Sequence, residues 1–141
     1  MASWKQYKED TILFIEAGFI AVNQADEDSA KKLFEAAQLL DPSNHLWKMG
    51  VGYLHLHKLE LKEACKMFQE VLDEEPSSDM AKAMLGVAMG MMPQKTPQAE
   101  KILEQTLKSK DPLIKKLSDT AIHFIDTCIK KTPGPAGRGR A

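Results

Sequence analysis

The chain is poor in the features that mark most specialised chemistries. Only two of its 141 residues are cysteine, Cys65 and Cys128. No CxxC pair or adjacent histidine completes a metal or redox motif around either. Both lie in apolar helical stripes, so they are expected to be buried, reduced thiols. No run of about 18 apolar residues is present, which excludes a spanning helix. The first residues, MASWKQYKED, carry no apolar stretch of the secretory type, and a cytoplasmic location is expected. A formal net charge of −1 gives no general basic excess for nucleic acid. His55 and His57 are two apart, which on a helix aims them in different directions and makes a poor metal pair. No glycine-rich phosphate loop occurs, and no nucleophile stands beside an acid–base partner, so catalysis is not expected and no cofactor is called for. What remains, 43% hydrophobic and 28% charged residues, describes a soluble globular domain.

Against this background one regularity stands out. Gly18, Gly52 and Gly86 are 34 residues apart, and the same interval separates Ala30 from Ala64, Phe34 from Phe68, and Pro42 from Pro76. A third round follows one or two residues late, as Ala99, Leu103 and Pro112. Chance glycines would each cost a helix about 1 kcal/mol to no purpose. Small residues on paired helices instead let two backbones cross closely.

Apolar spacing and stop signals predict seven helices. The first is capped by a Ser3–Gln6 box and runs through Tyr7, Phe14, Ile15 and Val22 to about Asn23. The second carries Ala30, Leu33, Phe34, Ala37 and Leu40 to the stop at Asp41–Pro42. Ser43 or Asn44 caps the third, with Trp47, Val51, Leu54 and His55. Leu61, Ala64, Cys65, Phe68 and Leu72 mark the fourth, ended by Glu75–Pro76. Ser78 opens the fifth, which breaks at Pro93. Thr96–Pro97, a capping hydroxyl followed by proline, restarts the sixth. Asp111–Pro112 opens a seventh to about Lys131. Residues 132–141, TPGPAGRGRA, are expected to be disordered.

A 34-residue helix-turn-helix period carrying glycine, alanine, phenylalanine and proline in that order resembles the tetratricopeptide repeat. Repeat one spans 11–44 and matches at Phe14, Ala17, Gly18, Ala30, Phe34, Ala37 and Pro42. Repeat two, 45–78, matches at Val51, Gly52, Ala64, Phe68, Val71 and Pro76. The third, 79–112, matches at Leu85, Gly86, Ala99 and Leu103 around a one-residue insertion. Lys48 and Lys82 depart at the large site, and Ala21, His55 and Met89 at the tyrosine-like site. The resemblance implies an all-α fold: three helix pairs, a capping helix over 112–131 and a short extension over 1–10. It further implies a right-handed superhelix with a concave groove lined by the first helix of each pair.

Carrying the family's inward positions over, the groove comprises Ile12, Ile15, Phe19, Val22, Leu46, Met49, Tyr53, Leu56, Met80, Met84, Val87 and Met91. These are almost all apolar. Methionine clusters in the third pair, and its flexible thioether suits a surface that moulds to an apolar partner. Met89 and Met92 are expected on the packing side. The family's clamp for acidic chaperone C-termini needs inward lysine, asparagine and arginine. Ile15, Phe19, Gly50, Met80 and Met84 stand there instead, so that use is excluded. The remaining likeness is to the small chaperones of bacterial type III secretion, in particular those that hold the amphipathic helix of a needle subunit, often with a second small helical co-chaperone. Translocator chaperones of the same systems are the neighbouring alternative. A self-associating adaptor is a further one, suggested by Trp4, Tyr7 and the broad apolar face of the seventh helix at Leu113, Phe124 and Ile129.

Overall fold

A computed structural model describes residues 4–131, with side chains from Tyr7 onward. Ser3 and the tail 132–141, for which a cap and disorder are expected, lie outside the described residues. The fold is all-α. Seven α-helices are present among the described residues: α1 (Thr11–Asn23), α2 (Glu27–Leu40), α3 (Leu46–His57), α4 (Leu61–Glu74), α5 (Asp79–Gly90), α6 (Thr96–Thr106) and α7 (Pro112–Phe124). They pack as sequential antiparallel pairs, α1 with α2, α3 with α4 and α5 with α6. The chain divides into two compact units after Pro76.

The 34-residue period of the sequence recurs as a packing contact. In the first unit Gly18 of α1 lies against the ring of Phe34 on α2, and Gly52 of α3 lies against Phe68 on α4. A methyl added at Gly52 would come within 2.5 Å of Phe68 Cε1. Both rings are fully buried, so neither can swing away. In the second unit Gly86 of α5 meets Leu103 of α6 in the same way, where a Cβ would sit 2.7 Å from Leu103 Cδ2. Phe34 also fills the space beside Gly50, which seats α3 on α2 as well as on α1. The first core gathers Ala21, Val22, Ala30, Phe34 and Leu54. The second gathers Ala99, Leu103 and Ile125, with Met89, Ala121, Ile122 and Ile129 against them, and Met92 is buried too.

The turns inside the pairs repeat as well. Ala25 and Leu59, again 34 apart, adopt left-handed backbone with φ of 60° and 59°. Each follows a helix end closed by a six-residue loop: Asp26 N–H donates to Ala21 O and Glu60 N–H to His55 O. This is a Schellman closure, which satisfies carbonyls the helix leaves open. At the third equivalent position stands Pro93, whose ring fixes φ near −65° and which has no N–H to donate. The Schellman closure cannot form there. The chain takes a short 3-10 turn over Pro93–Lys95 instead, and this is where the inserted residue is absorbed.

Most stop and cap signals act as the sequence indicates. Asp41 and Glu75, each before a proline, cap α2 and α4 in extended backbone. Asn44 Oδ1 accepts from Leu46 N–H, Ser78 Oγ from Ala81 N–H and Asp111 Oδ1 from Leu113 N–H. Four expectations need correction. The Thr96 hydroxyl does not cap α6; it donates back to the Pro93 carbonyl at 3.0 Å, because Thr96 already has helical backbone (φ −53°, ψ −48°) as the first residue of α6, whereas a capping residue stands just outside the helix. The segment before Thr11 is not α-helix but a 3-10 helix over Trp4–Asp10, held partly by Lys8 pairing with Asp41 at 3.6 Å. Beyond Phe124 the chain continues as a π-helix over Ile125–Ile129, in which Lys130 N–H reaches the Ile125 carbonyl. Cys128 on that segment is exposed and Cys65 only half-buried, so neither is the core thiol its stripe suggested.

The packing contacts make two stability predictions. Gly52→Ala is expected to cost about 1–3 kcal/mol through overpacking against Phe68, and Phe68→Leu in the same chain should recover part of the loss in denaturant titrations. Leu59→Gly removes a left-handed backbone penalty of roughly 1–2 kcal/mol, less the greater chain entropy of glycine, and is expected to raise the melting temperature.

Candidate functional site

The first helix of each pair is apolar on most of its sides, so its packing against neighbouring helices decides which residues stay accessible. In the first unit α3 sits across α1 and α2. Ile15, Val22 and Met49, expected on an open groove, are buried at 3%, 2% and 6% exposure and belong to the core. Phe19, Tyr53 and Leu56 are half-buried, while Ile12 and Leu46 are exposed. The accessible part is an aromatic ladder. The Phe19 and Tyr53 rings lie 5.3 Å apart, and the His57 ring packs edge-on to Tyr53 at 4.5 Å. The Tyr53 hydroxyl donates to Asn23 Oδ1 at 2.6 Å, fixing the ring across α1 and α3. Burial of that hydroxyl raises its pKa above the ordinary tyrosine value.

In the second unit Met80 is exposed, and Met84, Val87 and Met91 are half-buried along α5. Val87 and Met91 form one wall of an open cleft of about 300 Å³ between α5 and α7. Leu117, Thr120, Ala121 and Phe124 form the other wall, and Gly90 and Ile125 the floor. Its surface is almost wholly apolar. The glycine matters here because a Cβ on Gly90 would lie 2.7 Å from Ile125 Cδ1, so only a bare backbone admits the isoleucine that makes the floor. The contribution of α7 is what the sequence reading left out. Its signal was present in the spacing of Leu113, Leu117, Ala121 and Phe124, one face at three- and four-residue intervals.

Two positions that depart from the repeat pattern have visible substitutes. Lys48 keeps only 17% of its side chain exposed and extends its amine to Glu74 at 2.8 Å, laying its stem where a large apolar side chain is expected. His45 Nδ1 reaches the other oxygen of Glu74 at 2.5 Å, and Lys48 is the main cause of the lowered Glu74 pKa. His55 turns Nδ1 toward Glu60 at 3.1 Å, away from His57. Among the described residues no group of three potential ligands gathers around a metal-sized site, and no helix is long and apolar enough to cross a membrane.

The helix pairs of the first unit are laced by one charged cluster. Glu27 at the start of α2 accepts from Lys31 and from Lys58 at the end of α3, each at 2.7 Å. Lys58 also reaches Glu60 at 3.1 Å. These bonds, Lys31 first and Lys58 second, hold the Glu27 carboxyl at about 2, against an ordinary 4.5. A lowered carboxyl contributes stability that is complete above its unfolded pKa and is lost as pH falls through the folded one. The advantage of the native chain over Glu27→Gln is therefore expected to hold above about pH 4.5 and to vanish toward pH 2, as read by thermal melts across that range. No protein-family model, curated protein or solved structure matches this chain.

Proposed function

We propose that this chain is a tetratricopeptide-type binding protein that holds an apolar or amphipathic helix of an aggregation-prone partner. The observation that carries the reading is the cleft between α5 and α7, apolar on both walls, rimmed by methionine and left open. An open apolar surface of this kind on a helical scaffold marks a site for another polypeptide. A helix laid into it would use anchors at i, i+3, i+4 and i+7. The flexible thioether of Met91 beside Val87 gives one wall the plasticity to fit such anchors.

The tetratricopeptide assignment is supported by the recurrence of Gly18–Phe34, Gly52–Phe68 and Gly86–Leu103 as close helix-crossing contacts, and by the repeated turns at Ala25 and Leu59. In that fold the first helices line a concave groove of a right-handed superhelix. Here those helices carry no arrangement of basic side chains for a terminal carboxylate. The partner class that best suits a short array with an apolar groove is an export substrate of bacterial type III secretion, a needle subunit before a translocator. A second small helical co-chaperone fits the same reading.

A self-associating adaptor is the second reading, favoured by Tyr7, Leu13, Ile20 and Leu113, exposed apolar side chains none of which lines the cleft. Sedimentation of the purified chain separates the two: a stable dimer that persists without any partner supports the adaptor.

For the chaperone reading, Met91→Glu and Phe124→Glu, one on each wall of the cleft, are each expected to weaken capture of an amphipathic helix by at least about ten-fold, the effect of burying a charge against an apolar ligand. Circular dichroism should stay unchanged. Retained capture in both variants would place the site elsewhere. Recovery of a short secreted helical protein with the chain from its native cell, identified by mass spectrometry, would fix the partner.

A further inference from the structure

The formal net charge of −1 conceals a strong separation. Residues 1–76 hold 8 Lys and Arg against 14 Asp and Glu, while residues 77–141 hold 11 against 6. The cleft between α5 and α7 belongs to the basic unit. Helical register places the charges of α7 relative to that cleft. Leu117, Thr120, Ala121 and Phe124 form the cleft-side face. Lys116 stands one turn before Thr120, and His123 one turn after it, both exposed along the outer edge of that face. The carboxylates of α7 and its extension, Asp119 and Asp126, fall on the opposite side. Asp126 is further occupied by Lys130, which also pairs with Glu100. Lys116 has no ion-pair partner among the described residues, and neither do Lys108, Lys110 and Lys115.

We infer that the α5–α7 cleft selects an amphipathic helix whose polar edge is acidic, with Lys116 as its main pairing residue. This rests on the cleft being the binding site, as proposed above, and adds the charge of the ligand. The argument is complementarity. An apolar cleft takes any apolar helix face, but the edge beside it offers only cationic or donor groups, so a carboxylate gains an ion pair there and an amine meets repulsion. The field of the whole basic unit steers an acidic segment to the cleft. The same reasoning disfavours the chain's own end as the occupant, since TPGPAGRGRA carries two arginines, no acidic residue and little apolar surface.

Two synthetic amphipathic helices with one identical apolar face test the inference, one with glutamates and the other with lysines along the flanking positions. Fluorescence anisotropy with the full chain is expected to give the acidic peptide a roughly three- to ten-fold lower Kd at low salt. The preference should shrink as salt is added and reverse or disappear in Lys116→Glu, while Lys115→Glu, on the far side of α7, should alter it less. Equal binding of both peptides, or tighter binding of the lysine peptide, overturns the acidic-edge inference and leaves the cleft as a binding site. If neither peptide binds and Phe124→Ala changes nothing, the cleft itself is not the site and both readings fall. A homodimer in sedimentation that dissociates on Phe124→Asp would show a second copy as the occupant and overturn the inference equally.

Discussion

Everything in the arrangement of these helices follows from how closely the two members of a pair can approach. A buried ring or leucine on the second helix occupies the space that a side chain on the first would take, and a glycine leaves that space empty. Phe34 does this for two glycines at once, Gly18 on its own pair and Gly50 on the next. One side chain thereby sets both the crossing within a pair and the seat of the following helix. Close-packed interiors tolerate almost no change in such a position. That explains why the interval of 34 residues is kept at Gly, Ala and Phe, while neighbouring sites drift.

The places where the repeat drifts show how the same geometry is kept with other chemistry. Lys48 stands where a large apolar residue belongs and substitutes its stem, with the charge carried out to Glu74. Pro93 replaces the left-handed turn residue of the first two pairs. Its fixed φ forces another closure, and one further residue is used to complete the connection. Thr106 and Ser118 join α6 to α7 by a buried hydroxyl contact at 2.5 Å, where the other unit relies on aromatic packing. The second unit is built with smaller side chains and methionine. Its packing leaves a cleft, and that cleft is the surface on which the proposed binding function depends.

The two units also differ in how they expose apolar surface. In the first, aromatic rings are tied to polar neighbours, Tyr53 to Asn23 and His57, so the accessible face is amphipathic and rigid. In the second, the accessible face is aliphatic and flexible, with cationic side chains beside it.

The sequence by itself determined the seven helices, most of their ends and their pairing. Those properties depend on local signals: proline before a stop, Ser78 and Asp111 at helix starts, and residues recurring at a fixed interval because the same contact recurs. The amphipathic second helices α2, α4 and α6 could be oriented from their stripes alone. The first helices could not, because α1, α3 and α5 are apolar nearly all round and their own periodicity does not single out a face. Only the tertiary structure decided that Ile15, Val22 and Met49 are buried while Phe19, Tyr53 and Met84 stay accessible, since that depends on which neighbour lies across each helix. It also decided that α7, expected as a capping helix with a broad apolar face, forms one wall of the cleft, and that Cys128 is exposed. Long-range placement of this kind is set by how helices stack, and stacking is a property of the whole packed set that no local pattern encodes.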